Sequence, residues 1–304
     1  MRCAVGVRRA GWVLVGALVV VVATGPAAPL PAASGSITLL PPPPPSAPAA
    51  SLPAGTTPVP GGPARAGMSV LQLNLCNSGM AGCYQGGRAV PEAAAVITTT
   101  RPDAVTVDEI CRHDLSALAA GMRRAFPGDV TYWQFQPVHD RDDSLSSCVN
   151  GDQYGIGILI HRPAGSPGAV SRGGEYPGQD GHHGERRVWE CLYATGSYYV
   201  CATHLSAFDH DRALTQCRYL MHTAIPDTRA RLGGYHPTVV GGDLNLTDRG
   251  RPNTGDCIPA GWRNTGDGAV QHVLATADHT VGSTRRIGMR YTDHPALLVT
   301  LRPA

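Results

Sequence analysis

Thr238-Val-Val-Gly-Gly-Asp-Leu-Asn245 is the stretch on which the fold of this chain turns. β-Branched residues followed by two glycines predict a buried strand running into a tight loop. The loop opens on an acid and an amide one residue apart, and in an extended segment Asp243 and Asn245 project to the same side. An acid beside an amide suits holding an attacking water while steadying a phosphate oxygen; an Asx-rich turn accounts for the same letters.

Four further polar islands lie at the ends of apolar runs. Asn74 ends the alternating run from Ser69, and Glu109 ends Asp103-Ala-Val-Thr-Val-Asp-Glu109. His204 ends a strand from Tyr198, and Asp293-His294 precedes a strand over Ala296–Leu301. Taken singly, these residues are solvated strand ends, turn formers or ordinary core and surface histidines. Strand ends, however, are where a fold gathers distant residues into one mouth. Together the islands make a site for one divalent cation and for acid–base chemistry on a phosphate ester. His182 and His183 are taken as loop residues.

Between the islands, Pro91–Thr99 and Asp114–Phe126 are predicted helices, the second capped by Asp114. Asp211–Leu232 is predicted helical but broken at Pro226. Tyr154–Ile160 is a buried strand, Val270–Ala275 another, and Arg186–Ala194 and Tyr198–His204 form a hairpin around Thr195-Gly196-Ser197. Strands outnumber helices, and hairpins and crossovers both occur. The expected class is α+β, with two sheets packed face to face and helices outside.

The first residues form an address. Arg2, Arg8 and Arg9 precede an apolar run from Trp12 to Ala23, shorter than the roughly 20 residues of a spanning helix. Residues 1–25 are therefore assigned as a secretory signal peptide, with a membrane anchor as the competing reading. Residues 26–67, which include Pro41–Pro45, form a Pro/Ala/Gly-rich linker without an acidic residue, leaving 68–304 as one folding domain. Of 25 basic residues, four precede Met68, so the domain carries 21 basic against 23 acidic side chains, net −2. That balance excludes a basic nucleic-acid sponge; a polyanion has to be held locally, by arginine and metal.

Eight cysteines follow Cys3, an even number that suits disulfides in an exported chain, and no C-x-x-C pair supports zinc. Cys191 and Cys201 are equidistant from Gly196 and should face each other across the hairpin. Cys76–Cys83 closes a short loop, and Cys111–Cys148 and Cys217–Cys257 follow by elimination.

These motifs resemble the endonuclease/exonuclease/phosphatase superfamily, the group that includes deoxyribonuclease I. The resemblance spans Ser69 to Leu301, through LQLN at Asn74, AVTVDE at Glu109, YGIGILI from Tyr154, ATHL at His204, GDLN at Asp243 and Asn245, and TDHPAL at Asp293 and His294. It implies a four-layer α/β/β/α sandwich. It implies that Glu109 binds Mg2+ (Mn2+ or Ca2+ as alternatives), with Asn74 and Asp293 nearby. Asp243 and Asn245 would position the water and the phosphate, and His204 and His294 would form the acid–base pair. Asn74, Asn245 and Tyr154 would contact phosphate or substrate.

Three positions depart from the superfamily's pattern. Asp108 stands where Gln usually precedes the metal Glu, and strand alternation predicts that it points away from the site. Thr292 replaces a serine. Gln271 replaces an Asp that braces the second histidine in deoxyribonuclease-like members; Asp267, Asp278 or His272 could substitute, or His294 works at reduced strength.

The expected function is a secreted, divalent-metal-dependent phosphodiesterase, foremost a nuclease, acting as a monomer without a stable protein partner or integral membrane domain. A phospholipid (sphingomyelinase-like) or phosphomonoester substrate is the alternative, and a non-catalytic binding module on the same fold is the alternative of another class. An exposed apolar mouth favours lipid; a groove lined by Arg112, Arg141, Arg186, Arg187 and Arg212 favours nucleic acid.

Overall fold

The computed structural model describes residues 67–181 and 184–304. The signal-peptide and linker assignments, except for Gly67, lie outside the described residues, as do His182 and His183. The chain starts one sheet, builds a second, and returns to finish the first. The start comprises β1 (Met68–Asn74), α1 (Ala89–Thr100), β2 (Ala104–Cys111), α2 (Asp114–Ala125), β3 (Val130–Pro137) and β4 (Tyr154–Arg162). The second sheet uses β5 (Ala169–Glu175), β6 (Val188–Ala194), β7 (Tyr198–His204), β8 (Thr238–Asp243), β9 (Arg263–Gly266) and β10 (Gln271–Ala275), with α3 (His210–Tyr219) and α4 (Ile225–Leu232) between β7 and β8. β11 (His279–Ile287) and β12 (Ala296–Pro303) close the first. The strand orders are β11-β12-β1-β2-β4-β3 and β5-β6-β7-β8-β10-β9.

Each sheet contains one parallel pair, β1 with β2 and β7 with β8, joined by helical crossovers. Parallel pairing puts the C-terminal ends of both strands at one rim. Asn74 pairs with Asp108 in the first sheet and His204 with Asp243 in the second. Antiparallel β10 begins at the same rim, with Gln271 opposite Asp243.

Three apolar clusters make the four layers. Val70, Ile156, Ile158, Leu192, Val200, Val239 and Val299 fill the space between the sheets. Leu71, Leu73, Val105 and Val107 pack outward on Ala93 and Ile97 of α1 and Leu115, Leu118 and Met122 of α2. Cys191, Cys201, Val240 and Leu274 pack outward on Ala213, Cys217, Leu220 and Ile225. The expected sandwich is thus the observed one. The disulfides are Cys76–Cys83, Cys111–Cys148, Cys191–Cys201 and Cys217–Cys257. Cys191 and Cys201 are register partners in the β6–β7 hairpin.

Local departures have local causes. Asp114 does not cap α2; it lies in the first turn, where its Oδ2 accepts from the Asn77 side chain at 2.7 Å and from Cys111 N at 3.1 Å. Pro226 does not break its helix. The missing N–H is absorbed upstream by a π turn over Leu220–Ala224, and Pro226 falls in the first turn of α4, where no donor is needed. β3, β5, β9 and β11 were not expected as strands; β11 is largely exposed, and β3, β5 and β9 are buried at no more than one position each, so none carries a continuous apolar signal. Among the described residues no helix is long and apolar enough to cross a membrane.

One buried acid lies away from the rim. Glu190 of β6 is 2 % exposed and its Oε1 has no hydrogen-bond partner. Burial pushes its carboxyl up to about 7, against the lowering effect of a hydrogen bond from Ser171. A folded value above the unfolded one costs nothing below the unfolded value of 4.5; the cost grows as pH rises and is complete above about 7. Glu190→Gln is therefore expected to stabilise the protein by up to about 3 kcal/mol at pH 8 and by little at pH 5. Denaturant unfolding at both values checks this; a pH-independent difference would contradict it.

Candidate active site

The rim is shaped by a bulge. The β2–β4 register shifts between Val107 and Ile110, and within that step Glu109 adopts φ 53°, the left-handed region. A non-glycine residue there costs about 1 kcal/mol or more. The bulge breaks strand alternation, so Asp108 and Glu109 both serve the same site. Asp108 therefore does not point away as alternation predicts. It is fully buried, and its Oδ2 accepts from Asp243 N at 2.8 Å and Gln72 Nε2 at 2.7 Å. Glu109 Oε1 accepts from Asn74 Nδ2 at 2.9 Å, and the same amide lies 3.2 Å from Asp243 Oδ2.

The Asp243-Leu-Asn245 segment is not extended. Asn245 has φ 47°, and its N–H donates to Asp243 Oδ1 at 3.1 Å, an Asx turn. Its Nδ2 is tied to Leu205 O at 3.0 Å. The turn and the polar pair are thus one feature, with both side chains anchored.

His294 Nε2 lies 3.7 Å from Asp243 Oδ2 and 3.6 Å from Asp293 Oδ1. Thr292, in the place of a serine, donates its hydroxyl to Asn74 O at 2.9 Å and fastens this loop to β1. Asp293 is exposed and also lies near the Cys76 and Cys83 sulfurs; these are bonded to each other and are not thiolate ligands. His204 and Tyr154 are buried and share a small recess with Glu185 and Arg187. All seven predicted catalytic and metal residues thus belong to one end of the sandwich, with Tyr154 buried beside them.

Gln271 fills the bracing position itself. Its Nε2 donates to Asp243 Oδ2 at 2.7 Å and lies 3.4 Å from His294 Nδ1. None of the three candidate substitutes takes that place. Asp267 accepts from Ala269 N in a turn, Asp278 accepts from the Tyr235 hydroxyl, and His272 is engaged with Leu246 O and Asn264. Gln72 and Thr106 complete a buried polar floor that sequence reasoning missed. Both alternate with recognised residues, Gln72 with Asn74 and Thr106 with Asp108, which was the available signal.

Negative charge is crowded here. Burial, the neighbouring Asp243 and Glu109 push Asp108 well above the usual carboxylate range. Burial, with Glu185 and Asp243 adding repulsion, raises Glu109; burial also raises Asp243 despite His294, Asn74 and Arg187. Burial, then Arg187 and His294, hold His204 well below the ordinary imidazole value. Clustered hard oxygen donors, each penalised for its charge, are what a Mg2+-type cation relieves, so the residues present fit such an ion.

The four-layer sandwich, with this collection at one rim, defines a phosphoesterase-type architecture. The chain belongs to the Endonuclease/Exonuclease/phosphatase family, whose family model matches residues 73–294. Members of this family are hydrolytic phosphoesterases. No curated protein matches in sequence. Solved structures share the fold at low identity. A Bacteroides thetaiotaomicron mannosyl-6-phosphatase has a TM-score of 0.53 at 14% identity, over 77% of this chain and 99% of that one. An endonuclease/exonuclease/phosphatase from Beutenbergia cavernae has a TM-score of 0.55 at 19% identity, over 79% and 72%. D. rerio TDP2 complexed with single-strand DNA product has a TM-score of 0.54 at 14% identity, over 78% and 99%.

Gly241 of β8 lets the sheets approach beneath the site. A Cβ there would stand 2.0 Å from Thr106 Oγ1 and 3.0 Å from Gln72 Oε1. Gly241→Ala is expected to force this floor apart and cost about 1–3 kcal/mol. Urea unfolding measures it; an unchanged midpoint would contradict the packing described.

Proposed function

We propose that this chain is an exported, divalent-metal-dependent phosphodiesterase, with nucleic acid as its first substrate. One observation carries the reading: the buried carboxylates of Asp243 and Asp108 and the carboxylate of Glu109 meet Asn74 and His294 at one rim, linked by direct hydrogen bonds and short contacts. In this reading Glu109, with Asn74 and Asp293, holds Mg2+, or Mn2+ or Ca2+ in its place. The bound cation supplies neutralisation of phosphate charge.

The remaining steps belong to side chains. Asp243, a buried acceptor with its other contacts fixed, orients the attacking water, and the Asn245 amide steadies a phosphate oxygen. Water adds at phosphorus in line with the departing oxygen. An imidazole N–H hydrogen-bonds that oxygen, the proton released by the water completes the alcohol by way of solvent, and the other product is a phosphomonoester. His204 is held neutral by burial and Arg187 and serves as the acceptor or neutral hydrogen-bond partner; His294 is then the donor. Four disulfides support export, because such bridges persist in oxidising compartments.

A second reading, hydrolysis of a phospholipid, is favoured by the mouth. Met80 and Phe208 are 62% and 61% exposed and line one recess with Leu145, Asp140 and Glu185. Two of the expected groove arginines are neutralised: Arg187 pairs with Glu185 at 2.8 Å, and Arg186 with Asp143 at 2.6 Å and Glu175 at 3.0 Å. That leaves less free positive charge for a polyanion.

The oxidised protein should hydrolyse plasmid DNA or RNA with Mg2+, and lose the activity in EDTA and in Asp243→Ala. His204→Ala should lower turnover by about 10²-fold or more. Turnover of sphingomyelin alone would select the lipid reading. An unchanged rate in both variants would sink the catalytic assignment.

A further inference from the structure

The hydrogen-bond floor under the rim determines which nitrogen of His294 carries its proton. Gln271, Gln72, Thr106 and Asp108 are all 0% exposed, so each amide must face a partner of the right kind. The Asp243 carboxylate only accepts, which places the Gln271 nitrogen against Oδ2 at 2.7 Å and its oxygen towards Gln72. Gln72 Nε2 donates to that oxygen at 3.0 Å, to Asp108 Oδ2 at 2.7 Å and to Leu73 O at 3.0 Å, its two hydrogens shared among three acceptors. Gln72 Oε1 accepts from the Thr106 hydroxyl at 2.5 Å. Neither Gln72 nor Gln271 can flip without setting an acceptor against an acceptor.

Gln271 therefore presents an N–H to His294 Nδ1, 3.4 Å away. Facing that N–H, Nδ1 is matched as an acceptor, which in the neutral ring assigns the hydrogen to Nε2, the nitrogen that faces Asp243 and Asp293. A carboxylate at position 271 would do the reverse, accepting a hydrogen bond from Nδ1–H and leaving Nε2 bare. It would also put a third buried carboxylate beside Asp108 and Asp243, where Gln72 could not serve them all. We propose that Gln271 is a positioning residue that fixes His294 as the Nε2–H tautomer, and that this choice is coupled through Gln72 to the carboxylate of Asp108 on the opposite sheet. The functional consequence rests on the hydrolytic reading above: His294 then offers its Nε2–H to the departing oxygen as a neutral hydrogen-bond donor.

The test uses the full oxidised chain with 15N-labelled histidine. Wild-type His294 should show a protonated Nε2 and a bare Nδ1. Gln271→Asp in the Asp108→Gln background should invert the two nitrogens, which a merely structural role for Gln271 would not do. A wild-type Nδ1–H tautomer, or no inversion, would overturn the proposal. Because the ring exchange can be read only in folded protein, unfolding provides a second arm. Gln271→Asp should raise the unfolding equilibrium constant at least about tenfold more in the wild-type background than beside Asp108→Gln; additive effects would overturn the coupling. Gln271→Met should lower kcat by about 10- to 100-fold with KM little changed. Neither of the first two arms reads turnover, so they decide the proposal even if the hydrolytic reading fails.

Discussion

Hydrogen bonds across the sandwich, led by the Asp243 N–H to the Asp108 carboxylate at 2.8 Å and joined by Asn74 to Asp243 and Gln72 to Gln271, tie the two sheets together where the site is built. Around them the backbone takes conformations it would otherwise avoid. Glu109 and Asn245 are left-handed, and Gly241 admits the Thr106 hydroxyl where any side chain would collide. These features let acids, amides and an imidazole from different strands lie within hydrogen-bond reach. Without these cross-sheet bonds they would belong to two separate rims.

The same arrangement is electrostatically unfavourable in isolation. Asp108 and Glu109 are pushed towards the neutral form chiefly by burial and in part by the charge of Asp243, and Asp243 is raised by burial. The folded core compensates elsewhere, through three apolar clusters and four disulfides. A site held in an unfavourable state by a stable scaffold is a frequent condition of catalysis, and a divalent cation is the natural relief for this one.

Much of this was legible in the sequence because chemistry at strand ends leaves polar letters at the close of apolar runs. Asn74, Glu109, His204 and Asp243 were found that way, and the sandwich followed from the interleaving of strands and crossovers. What failed did so for physical reasons. The direction of Asp108 was misread because alternation assumes a regular strand, and the bulge at Glu109 is not. The extended Asp243–Asn245 pair proved to be an Asx turn. β11 lacks a continuous apolar pattern because solvent takes most of its side chains, and β9 buries none of its four residues. Gln271 stood out as an anomaly in a motif, but its partners, Gln72 and Asp108, lie on the other sheet, and only the fold brings them together.

The central claim is that the Glu109 rim holds one divalent cation. Anomalous scattering from crystals soaked in Mn2+ tests it most directly. The expected result is one strong peak about 2.1 Å from a Glu109 carboxylate oxygen, absent from crystals of Glu109→Gln. A peak elsewhere with none at Glu109, or an unchanged peak in the variant, would contradict it.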